Sequence, residues 1–356
     1  YTRLNDEGFD NGVLVNTNTY KKQINKDEIY SFKIEAVNEG GRSFPSETLS
    51  ACRKSDERGI VLIVNGFTRV SAPFSFTAGD SIAGFVGRED NGVPYISDHQ
   101  FIGQMHEYRR VIPWMDDDAS GFGDSDANYE TTAIAGNTFD YPYTHGQSFT
   151  NAGYSFVSSS GSAIENAQLN SSTYKIVDWI LGKQREWVVA HGAMPSKYKT
   201  FNKIQQEKIT EYCKSGGNII VSGAFVGTDL WDNPRAKKVD RDWAQNILKY
   251  KWRNNYGGVT GQVKTVASPF ESITGNYTYY NELNSESYVV ENPDAIEPAD
   301  KSAYTVFRYT ENNLSAGTFY KGETYNTCVL GFPIESIKGQ HNRNMLVKGI
   351  LEAMNL

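Results

Sequence analysis

Gly59–Asn65 (GIVLIVN) is an unbroken apolar run, where a strand with one wet face would alternate. Three later segments share its largely apolar character: Tyr174–Leu181 (YKIVDWIL), Asn218–Ser222 (NIIVS) and Thr327–Gly331 (TCVLG). Such runs predict strands covered on both faces, as in parallel sheets. Helical spacing lies between and after them. Phe201, Ile204, Ile209 and Tyr212 predict a helix over 200–215, closed by Gly216 and Gly217. Trp243, Ile247 and Leu248 mark a helix over 240–248, and Met345, Leu346, Ile350, Leu351 and Met354 another over 343–354. Strands alternating with helices predict an α/β fold with a mostly parallel, three-layer sheet.

Two stretches break that rhythm. Residues 71–151 are rich in Gly, Asp, Asn and Tyr and hold few helix signals. A structureless loop of that length is out of place in a compact domain, so an ordered insertion near the C-terminal ends of the strands is expected. Residues 259–325 read as short strands on the far side. Ahead of the first apolar run, Ile29–Asn38 alternates with period two and puts Tyr30, Phe32, Ile34 and Ala36 on one face. The polar segment Lys54–Arg58 then acts as a linker. Two units are expected, 1–55 and 56–356.

The Tyr30–Asn38 alternation and the following Gly41–Ser46 turn resemble the last strands of a fibronectin type III module, about half of such a sandwich. The segment Glu211–Gly223 (EYCKSGGNIIVSG) resembles the helix, Gly-Gly, strand unit of class I glutamine amidotransferase-like domains and their trehalose-utilisation-like relatives. Cys328–Glu335 (CVLGFPIE) resembles their last strand. Working members carry a nucleophilic Cys on the turn after the Gly-Gly strand, where a helix N-terminus lowers its pKa. Here that turn reads Ser222–Gly227 (SGAFVG), with Ala224 and no thiol, and no His stands beside Glu335 in sequence. The resemblance therefore implies the scaffold without the amidotransferase chemistry. The combination also resembles exported bacterial proteins labelled xanthan lyase-like. Lyases of that name use a helical toroid with β-sandwiches, so the label carries over a glycan-associated context and not the elimination reaction.

Composition narrows the picture. The 356 residues are 39% hydrophobic, which excludes a disordered chain. A net charge of −7 without a basic stripe excludes a general nucleic-acid binder. No 18-residue apolar run spans a membrane. Cys52, Cys213 and Cys328 are too few and too scattered for a disulfide framework, although one pair could bridge. The chain begins at Tyr1, part-way through the fibronectin-like unit, so further domains and any export signal are expected upstream. The expected location is secreted, periplasmic or cell-surface.

Three constellations carry candidate chemistry. The acidic run Asp116–Asp126 has calcium-loop spacing: oxygens at Asp116, Asp118 and Ser120, a sharp turn at Gly121, the Phe122 carbonyl, then Asp124. Ala127 stands where a bidentate carboxylate belongs, so Asp126 would substitute; a solvated acidic loop is the competing reading. Asp140 and His145 sit close together in an aromatic stretch, where an Asp orienting a His makes a general base. The competing reading is that both satisfy backbone groups. His191, Ser222 and Asp229 fall near strand C-termini, where open α/β sheets bind ligands, and form a conceivable triad. Against that, Ser222 suits a tight turn and Asp229 a helix cap. Asn65, Ala224, Glu335 and Trp114 complete the candidate binding residues.

The first functional expectation is an exported glycan- or envelope-associated protein whose α/β domain binds or braces without the family nucleophile. Its partners would be glycans, with no cofactor required and calcium as an option. The alternative is an esterase- or amidase-type hydrolase, or a polysaccharide-processing enzyme, with a His-centred site at the sheet's C-terminal edge.

Overall fold

The computed structural model describes residues 1–42, 46–67, 140–186, 199–233, 235–282 and 287–356, with the backbone of four short strand segments at 74–78, 82–86, 106–107 and 124–125. Its frame is one twelve-stranded sheet. In chain order the strands are β1 (Thr2–Leu4), β2 (Ile29–Phe32), β3 (Leu49–Cys52), β4 (Ile60–Asn65), β5 (Ser155–Ser160) and β6 (Tyr174–Gly182). There follow β7 (Asn218–Gly223), β8 (Gln262–Thr265), β9 (Asn276–Thr278), β10 (Ala303–Tyr309), β11 (Ser315–Lys321) and β12 (Asn326–Leu330). Across the sheet the order is β1-β2-β3-β5-β4-β6-β7-β12-β11-β10-β8-β9.

The four apolar runs of the sequence are four of the five central strands. With β5 they pair in parallel, in the order β5-β4-β6-β7-β12. The expectation of a mostly parallel sheet is nevertheless corrected: the sheet is mixed, and most pairings are antiparallel. On one side β1, β2 and β3 add antiparallel strands, joined to β5 through the pair Phe156 and Cys52. On the other side β11, β10, β8 and β9 do the same. The physical reason is chain length. Hairpin partners need only a short turn, whereas each parallel pair needs a crossover. Short strands in 259–325 extend the sheet by the cheaper connection. The alternation over Ile29–Asn38 gives a strand of the large sheet only to Phe32; Ile34 is exposed, and Val37–Asn38 pairs separately with Gly41–Arg42.

Side chains alternate across the central strands and build two cores. Val61, Ile63, Ile176, Ile180, Ile220, Cys328 and Leu330 face α1 (Tyr141–Asn151) and α6 (Gln340–Ala353). Leu62, Val64, Val177, Trp179, Ile219, Val221 and Val329 face α3 (Lys203–Lys214). Each fully buried side chain of this size contributes about 1.5–3 kcal/mol. Helix α3 starts at a capping box, in which Asn202 and Gln205 satisfy each other's backbone N–H groups, and ends before Gly216 at φ +95°.

Helix α1 lies within the stretch 71–151 that reads as an insertion. Its Tyr141, His145, Ser148 and Phe149 are buried. It lies close enough to the sheet that a Cβ on Gly146 would sit 2.2 Å from the Phe156 ring. All three cysteines are buried and free. Among the described residues no helix is long and apolar enough to cross a membrane.

Candidate functional site

Asp178 stands in the middle of β6 with no accessible surface. An isolated carboxylate there is costly, so the fold has to supply a partner. The partner is His145, delivered by α1 to the same face of the sheet. Its Nδ1 lies 2.6 Å from Asp178 Oδ2, and its Nε2 lies 3.1 Å from Glu335 Oε2. Glu335 comes from the loop after β12, and its Oε1 accepts from the Tyr288 hydroxyl at 2.7 Å. Phe67, Tyr141 and Tyr288 pack edge to face around it, with centroids 5.5 and 5.6 Å apart.

Burial disfavours a charged imidazole, but the Asp178 carboxylate outweighs it by charge and hydrogen bond, with help from Glu335. The His145 pKa is raised to about 9. The protonated imidazole is thereby favoured, and in that form both ring N–H groups donate, one to Asp178 and one to Glu335. A histidine held this way cannot take a proton from a nucleophile. Burial and the Asp178 charge also push the Cys328 thiol well above its usual range.

A second pair of buried carboxylates fixes the ends of the central strands. Asp229 in α4 (Thr228–Trp231) accepts from the Glu186 and Thr200 backbone N–H groups and from the Thr200 hydroxyl. Burial raises its pKa to about 6. Asp294 accepts from the N–H groups of Gly227 and Thr228 at 2.7 and 3.0 Å, from the Thr228 hydroxyl at 2.6 Å and from Trp252 Nε1 at 3.0 Å. Burial raises its pKa to about 7. At the rim between them, the Ala224 N–H donates to the Gly182 carbonyl, Lys183 Nζ donates to Glu291 at 2.7 Å, and Arg185 lies over the Phe225 ring.

The sequence candidates fall as follows. Asp140 and His145 do not pair: the half-buried Asp140 accepts from Arg3 at 2.9 Å at the start of α1, while His145 points into the core. Glu335, which has no histidine beside it in sequence, has His145 against it in space. Asp229 is engaged by Thr200 and Glu186 rather than by a histidine. Ser222 Oγ is buried with no hydrogen-bond partner among the described residues. Asn65 Nδ2 donates to Glu47 at 3.0 Å, and Ala224 is buried. His191 and Trp114 lie outside the described residues. So do Asp116, Asp118, Ser120, Phe122 and Asp126, while Asp124 is described only as backbone paired with Glu107. Among the described residues, no group of three or more His, Cys, Asp and Glu side chains is arranged to hold a metal ion.

Sequence reasoning missed Asp178, Tyr288 and Asp294. For Asp178 a signal existed: a lone carboxylate inside a run read as buried on both faces requires a cation nearby.

No family model and no curated protein matches the chain. Solved structures resemble it distantly. A cytoplasmic protein of Salmonella typhimurium LT2 is 7% identical, with 83% of this chain and 99% of that one covered and a TM-score of 0.41. A β-galactosidase from Rahnella sp. R3 is 11% identical at a TM-score of 0.40, over 61% of this chain and 27% of that one. This chain thus spans about a quarter of that enzyme's length. A glutamine amidotransferase from Thermotoga maritima is 14% identical at a TM-score of 0.35, over 58% of this chain and 87% of that one. At these scores the likenesses carry no argument about activity.

Proposed function

We propose that the chain is a module of an exported, glycan- or envelope-associated protein, whose amidotransferase-like α/β body binds or braces and does not catalyse. In this reading the N-terminal strands are the end of a fibronectin type III module. The observation that carries the proposal is the state of the groups at and beneath the rim. The place of the family thiol is taken by Ala224, buried and hydrogen-bonded through its backbone. The imidazole that the described residues bring closest to the sheet is locked between Asp178 and Glu335. A general base needs a free nitrogen within hydrogen-bond reach of its substrate. Calcium at the Asp116–Asp126 oxygens belongs to the same reading and is tested by calorimetric titration of the wild type against Asp118→Asn.

The experiment pairs a binding screen over neutral and acidic oligosaccharides with turnover assays on ester, amide and glycan substrates. Saccharide binding without turnover supports the proposal. Turnover that is lost in Ser222→Ala or His191→Ala overturns it in favour of a hydrolase, the reading favoured by the unpartnered Ser222 hydroxyl.

A further inference from the structure

A shallow cleft of about 510 Å³, largely open to solvent, lies where the N-terminal strands meet the α1 and α6 layer. It lies on the far side of α1 from the buried relay. Residues four apart on a helix share a face, and α1 presents Tyr143, Gln147 and Asn151 to the cleft, while α6 presents Gln340 and Asn344. Asn5 and Asp6, after β1, line the opposite wall.

The chemistry of this lining is specific. It holds five carboxamides, from Asn5, Gln147, Asn151, Gln340 and Asn344. Among the described residues its one cation is Lys54, held by Asp27 at 2.7 Å. Asp6 and Asn151 are exposed, with no side-chain hydrogen bond among the described residues. Gln147 donates to the Tyr143 hydroxyl at 3.2 Å, and Gln340 donates to Asn344 at 2.7 Å, so those amides are held in place. A carboxamide offers both donors and an acceptor, which suits a hydroxyl that does the same. Amides of which several are held in place, with the Asp6 carboxyl group and no free cation among the described residues, match vicinal hydroxyls better than anions.

We infer that this cleft is a binding site for a neutral saccharide, contacted by Asn151, Gln147 and Asp6. The inference rests on the binding reading above for its ligand class, and on the cleft alone for its place. It also narrows that reading, since an acidic polysaccharide meets no free cation among the described residues of the cleft.

The test uses the full chain and isothermal titration against neutral oligosaccharides, with uronic-acid oligosaccharides as the charged comparison. The variants are Asn151→Ala with Gln147→Ala, and Asn151→Trp to fill the cleft. Each lost hydrogen bond is worth about fivefold in affinity, so the double variant should weaken binding by at least roughly tenfold. Asn151→Trp should abolish it, and neither change should move the melting temperature of the unliganded protein. Neutral-saccharide binding that survives both variants overturns the cleft and leaves the module reading standing. Preference for the acidic ligand or for a polyamine overturns the ligand class. No binding to any saccharide overturns the binding reading and the cleft with it.

Discussion

Raising the pH should remove a defined amount of stability through one residue. The His145 pKa is about 9 in the folded chain, against the ordinary value of 6.5. A raised histidine pKa means that the folded state holds a proton which the unfolded state releases. The stabilisation is complete below pH 6.5 and is lost as pH climbs through 9. Between those limits the linkage slope is about −1.4 kcal/mol per pH unit. A difference of about 2.5 units then corresponds to about 3 kcal/mol. Unfolding entropy near 2 cal/mol/K per residue, over 356 residues, gives about 0.75 kcal/mol/K. The melting temperature should fall by about 4 °C from this residue alone. Urea titrations at pH 6.5, 8 and 9.5 would measure the loss. Asp178→Asn is the control: it removes the charge that holds the proton, so its stability should be lower overall and flatter over the same window. Side-chain nitrogen NMR reads the proton directly. A neutral His145 ring at pH 7.5, or an Asp178→Asn slope equal to the wild type, would refute the reasoning.

Three further outcomes follow from packing and hydrogen bonding. Gly146→Ala places a methyl 2.2 Å from the Phe156 ring, so it should cost about 1–3 kcal/mol and lower the urea midpoint. Asp294→Ala strands the N–H groups of Gly227, Thr228 and Trp252, and should cost about 3 kcal/mol or more by the same assay. Ala224→Cys places a thiol on the turn after β7, yet ammonia release from glutamine should stay at background, because His145 is already hydrogen-bonded through both ring nitrogens.

The central strands and α3 are legible because their signals are local. An unbroken apolar run specifies burial on both faces, and Asn202 with Gln205 and Gly216 marks the two ends of a helix. The antiparallel flanks are not legible in the same way. Whether a short strand such as β8 or β11 extends a sheet or decorates it depends on its neighbours, which period-two alternation does not name. Helix α1 hides for another reason. Gly146 and three Thr or Ser residues make it a poor helix by propensity, and packing against Phe156 supplies what propensity lacks. Its spacing of buried Tyr141, His145, Ser148 and Phe149, with Pro142 in the first turn, is the signal that was available.

His145 and Glu335 are 190 residues apart, so their contact exists only once the sheet is built. The requirement for it is nevertheless written in one residue. Asp178 in a doubly covered strand demands a cation, and the cation arrives on a helix at the end of a long intervening segment. That helix is thereby pinned to the core by charge as well as by Phe149. Its opposite stripe, Tyr143, Gln147 and Asn151, is then held at fixed positions along one wall of the cleft. A buried ion pair is a poor source of net stability, but replacing it with apolar residues would leave the angle of α1 to the sheet less strictly determined. The buried Asp178, His145 and Glu335 contacts thereby hold the amides on the other side of the same helix in place. This accounts for an expensive charge in the middle of β6.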